Sequence, residues 1–64
     1  MLSKEDYKNH LEQIIQIENR MSAIYKDCTD NIEEDSIKTV CRGLSQAEKQ
    51  HALIVKELID LFNV

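Results

Sequence analysis

The chain has 64 residues, of which 31% are charged and 42% hydrophobic; it has no Pro, one Gly, two Cys and three aromatics, and its net charge is −4. This length supports a single domain over 1–64 that buries only about 60% of the surface its unfolded chain exposes, and the composition favours helix over sheet, so the expected fold class is all-α. An acidic balance without a clustered basic face argues against a nucleic-acid or anionic-membrane surface. The longest apolar run, "ALIV", falls far short of the roughly 18 residues that span a bilayer, and the polar opening "MLSKEDYKNH" is no signal peptide, which makes the cytoplasm the expected location.

The first element starts at "SKED", where Ser3 serves as N-cap and Glu5 and Asp6 place negative charge in the first turn. Tyr7, Leu11, Ile14, Glu18, Met21, Tyr25 and Cys28 then recur in alternating steps of four and three, a helical seam over about 4–28 with one polar intruder, Glu18. Thr29, Asp30 and Asn31 in "CTDNIEED" predict a hinge over about 29–32. The second helix, about 33–62, carries Ile37, Cys41, Leu44, Glu48, His51, Val55, Leu58 and Phe62 on its seam, again in steps of four and three, with Glu48 and His51 as intruders. A flanking stripe of Val40, Ala47, Ile54 and Leu61 widens that face beyond what one neighbouring helix covers. Gly43 leaves the phase of the seam unaltered, so the helix continues through it and the glycine is either tolerated or a close-contact point.

A short hinge makes the two helices antiparallel, which predicts half of a four-helix bundle completed by homodimerisation. In such a hairpin, centred near residue 33, Glu18 and Glu48 stand at equal distance from the centre and His51 follows one turn along the same face. All three intruders converge on one level. Buried carboxylates cost several kcal/mol each unless compensated, and no Lys or Arg occupies either seam. The charge must come from a cation. Two divalent ions balance the four glutamates of a dimer, and carboxylate plus imidazole suits iron or manganese, with zinc an alternative. Cys28 and Cys41, with no secretion signal, read as reduced thiols in apolar positions, although their places on facing seams near the hinge admit an adventitious disulfide.

Glu18 on one helix and Glu48-x-x-His51 on the other match the ferritin-like di-iron pattern of one Glu from each of two helices plus Glu-x-x-His from the other two. Tyr25, seven residues after Glu18 in "ENRMSAIY", resembles the Glu-x6-Tyr of ferritin and rubrerythrin first helices. Over roughly 7–62 the chain is similar to the encapsulated ferritins, two-helix proteins whose di-iron ferroxidase centre forms across a dimer interface. The resemblance implies Glu18, Glu48 and His51 as iron ligands from each chain, with Glu48 bridging and Tyr25 a hydrogen-bond or redox partner behind them. It further implies two irons per dimer, oxidation of Fe(II) by dioxygen, a ring of dimers and an enclosing protein shell. Two features depart from that family: Ile17 and Arg20 stand beside Glu18 where the family has further acids, and "LFNV" after the second helix carries no shell-docking peptide.

Two other readings stay open. "IEN" followed by "LSQ" is reminiscent of sporulation-type aspartyl-phosphate phosphatases, which are hairpins of similar size, but this chain has "LSQAEKQH" where those carry an aspartate shortly after the Ser-Gln. A metal-free helical interaction protein, with the three polar residues fixing register, is the other.

Overall fold

In the computed structural model, which describes residues 1–63, the chain forms two helices, α1 over Lys4–Asn31 and α2 over Asp35–Phe62, and no strand occurs among the described residues. The hairpin measures 47 × 15 × 14 Å, in keeping with about 42 Å for a 28-residue helix at 1.5 Å per residue. Three contacts fix the direction of the second helix. Tyr7 stacks on Phe62, Ser22 bonds Ser45 and Cys28 is joined to Cys41, so residue numbers rise on one helix as they fall on the other, as antiparallel packing requires.

The start of α1 follows the expected chemistry. Ser3 Oγ accepts the Asp6 backbone N–H at 3.1 Å while the Asp6 carboxylate accepts the Ser3 N–H at 3.0 Å, a reciprocal capping box. The Ser3 backbone N–H foremost, and the Ser3 hydroxyl beside it, hold the Asp6 carboxyl below its ordinary value.

The hinge falls later than expected. Thr29, Asp30 and Asn31 belong to α1 rather than to a turn, because each satisfies its side chain one turn back along the helix. The Thr29 hydroxyl donates to the Tyr25 carbonyl at 3.0 Å, Asp30 pairs with Lys26 at 2.7 Å, and the Asn31 amide donates to the Asp27 carbonyl and carboxylate, each at 2.9 Å. Residues that favour turns when their side chains compete with the backbone here reinforce it. The connection is Ile32–Glu34, and α2 begins at Asp35, with Glu34 at the N-cap and no side-chain cap bond.

The contact line between the helices is also rotated from the expected seam. Ser22, Ser45, Ala52 and Ile59 are buried, whereas Tyr7, Ile14, Leu44, His51 and Leu58 are exposed. Small residues explain the shift. Ser22 Oγ donates to the Ser45 carbonyl and Ser45 Oγ to the Ser22 carbonyl, both at 3.0 Å, and the hydroxyls lie 3.1 Å apart. Each buried hydroxyl is thereby satisfied on the opposite backbone, an approach that larger side chains would block.

The cysteines, expected as free thiols, form a disulfide across the hinge end of the hairpin, with Cα atoms 6.2 Å apart, a spacing within the ordinary range for such a bond. Gly43 stands in open space, since a Cβ there would meet nothing within 4 Å. It is tolerated and marks no close contact. No helix among the described residues is long and apolar enough to cross a membrane.

Candidate metal centre

Helical geometry delivers the three intruders to one place. Glu18 of α1 and Glu48 of α2 stand at the edge of the contact line, one turn from the buried Ser22 and Ser45, and His51 follows Glu48 by one turn. One ligand atom from each of the three lies within 4.8 Å of the other two. Both glutamates are half-buried and His51 is exposed. The stacked Tyr7 and Phe62 rings close the open end of the hairpin, and the Ser22–Ser45 pair lies one turn hingeward of the glutamates.

One atom of the group is conspicuously unsatisfied. Glu18 Oε2 is buried and has no hydrogen-bond partner. A buried acceptor without a partner costs about 1–3 kcal/mol, more when it carries charge. No cation of the chain compensates it, because the single ion pair among the described residues is the exposed Lys26–Asp30 pair. Two carboxylates and an imidazole with an orphaned oxygen are a donor set that fits a divalent cation of the iron, manganese or zinc type. The sulfurs are bonded to each other, so thiolate ligation plays no part.

Tyr25 is half-buried two turns beyond Glu18, about 10 Å along the helix axis, with its backbone carbonyl accepting from Thr29. His10, the other histidine of the chain, is exposed and stands outside this group. The sequence reading missed Ser22 and Ser45, whose signal was available: both are small residues one turn hingeward of Glu18 and Glu48, and polar residues small enough to let helices touch. No family model, curated protein or solved structure matches this chain.

The surroundings of the site are strongly asymmetric. At 100° per residue, Ile14, Ile17 and Ile24 of α1 and Leu44, Ile54 and Leu58 of α2 project to the same side of the hairpin as His51, and all six are exposed. Ile24 and Ile54 are 59% and 61% exposed. The imidazole therefore stands on a broad apolar face, and the site opens onto that face.

Proposed function

We propose that this chain is half of a ferritin-like di-iron ferroxidase, its apolar face covered by a second copy so that two Glu18–Glu48–His51 sets meet across the interface. The observation that carries the reading is the Glu18–Glu48–His51 group, with a buried, orphaned Glu18 oxygen and an exposed imidazole. A four-helix bundle supplies what the single hairpin lacks, an apolar enclosure for the side chains left exposed.

Fe(II) is the substrate. Two ferrous ions each give up one electron, and dioxygen, taking both with two protons, leaves as hydrogen peroxide. Glu18 and Glu48 supply the anionic oxygens that favour the higher charge of the ferric product, and His51 supplies a neutral donor. The glutamates of two chains carry −4, which two ferrous ions balance. The covered apolar face excludes water, and Tyr25, two turns along α1 from Glu18, is the proposed hydrogen-bond or redox partner of the centre. Manganese or zinc would occupy the same donors without this turnover.

Anaerobic Fe(II) titration followed by air tests the reading. Saturation at one iron per chain, then growth of ferric absorbance with oxygen uptake, is the expected result. Absence of stoichiometric binding overturns it.

A further inference from the structure

Opposite the apolar face, the two helices leave a long groove. One part, about 370 Å³, is lined by Ile15, Asn19, Lys49, Ala52, Leu53 and Lys56. A second part, about 220 Å³, shares Lys49 and brings in Arg42, Lys26 and Asp30 nearer the hinge. Lys8 and Lys38 project to this side as well at 100° per residue, as do the acids Glu12 and Asp60, so that cations outnumber acids here in a chain of net charge −4. Lys26 is already neutralised by Asp30. Arg42, Lys49 and Lys56 have no acidic partner among the described residues. Between the lysines sits Leu53, 62% exposed and alone among polar neighbours on α2.

The tip of the hairpin has the complementary chemistry. Its sequence is Ile32-Glu33-Glu34-Asp35; all four residues are exposed, and none of the three acids is in an ion pair. Three unpaired acids beside one exposed isoleucine complement, in charge and in apolar content, three unpaired cations beside one exposed leucine. The tip does not pair with its own groove: Arg42 lies about 10 Å and Lys49 about 21 Å along the helix from Asp35, and neither is in an ion pair among the described residues.

We propose that the acidic hinge tip of one copy docks into the basic groove of another, with Ile32 against Leu53 and Glu33, Glu34 and Asp35 against Arg42, Lys49 and Lys56. The contact is heterologous, so it propagates into a ring or a filament rather than closing a pair. It uses the side of the hairpin away from the face assigned to the dimer, and both contacts can be made at once. It does not rest on the metal reading.

Sedimentation velocity of the full chain at low and high salt tests it, with two charge reversals, Lys49→Glu/Lys56→Glu in the groove and Glu33→Lys/Glu34→Lys at the tip, checked for helix content by circular dichroism. Wild type is expected to form species heavier than a dimer at low salt that dissociate at high salt. Each reversal alone loses them, and an equimolar mixture of the two variants recovers them, because the reversed tip then meets a reversed groove. Heavy species that survive both single reversals, a mixture that stays light, or a wild type light at every salt overturns the proposal. So does a wild type that stays light while its groove binds a synthetic acidic peptide, which assigns the groove to a foreign acidic segment. Iron binding measured on the same samples bears on the metal site alone, so failure of either reading is visible separately.

Discussion

Glu18 is costly to the chain as it stands, and that cost is measurable. Its Oε2 is buried without a partner, so Glu18→Leu removes a desolvated carboxylate and fills the space with hydrocarbon. The expected result is a metal-free protein more stable by about 1–3 kcal/mol in urea unfolding that no longer binds Fe(II). A site whose removal stabilises the fold is retained for something other than folding. Equal or lower stability with iron binding intact would show that the carboxylate is satisfied and serves the fold. Gly43 presents the opposite case, a residue without a contact to lose. Nothing stands within 4 Å of an added Cβ and no positive φ is present, so Gly43→Ala should raise stability by about 0.5–1 kcal/mol through helix propensity, read as a higher melting temperature. Both residues were visible in the sequence as departures from pattern, but only packing separated them. A polar residue on a seam carries its cost wherever the seam is buried, whereas a glycine inside a helix is neutral or essential according to what lies opposite.

The helices themselves were legible in the sequence to within a few residues, because the Ser3 cap, the periodic apolar residues and the absence of proline all act locally. Their ends and their facing sides were less so. Thr29, Asp30 and Asn31 have side chains that serve a turn or a helix end equally well, and the choice falls to bonds reaching back to Tyr25, Lys26 and Asp27. The seam predicted from large side chains marks a face that lies beside the true contact line, since the closest approach is made by Ser22, Ser45 and Ala52. Glu18 and Glu48 survive this rotation because they sit at the edge of both faces. His51 moves to the outside, which is why a donor set legible in one dimension opens onto an apolar face in three. The Cys28–Cys41 bond is not legible in the sequence, because the number of cysteines says nothing of the distance between them. With a sequence separation of 13 between its cysteines, the disulfide should contribute about 3 kcal/mol through the unfolded state. Urea unfolding with and without reductant measures this as a shift in midpoint, and Cys28→Ser/Cys41→Ser should match the reduced protein. An unchanged midpoint would mean that the hinge end is held by other contacts.

Among the described residues only two apolar side chains, Ala52 and Ile59, are buried, and neither completely, so the hairpin has little hydrophobic core of its own. Against this, the side bearing His51 exposes isoleucines and leucines on both helices, and large apolar patches of this kind mark interaction surfaces. Ile54 offers a way to test the consequence without touching the hairpin. It is 61% exposed, so Ile54→Glu should alter the isolated hairpin by no more than about 0.5 kcal/mol. In a dimer joined through that face, the same change buries an unpaired charge at a cost of several kcal/mol. The expected outcome is a fall in mass from dimer to monomer by light scattering, with melting no longer dependent on protein concentration. Iron affinity should fall with it by at least about tenfold, because each metal would keep the donors of one chain and lose the enclosure supplied by the other. The two readouts separate the alternatives. An unchanged mass would show that this face is not the interface, and a monomer that binds iron as tightly as wild type would show that Glu18, Glu48 and His51 of a single chain suffice.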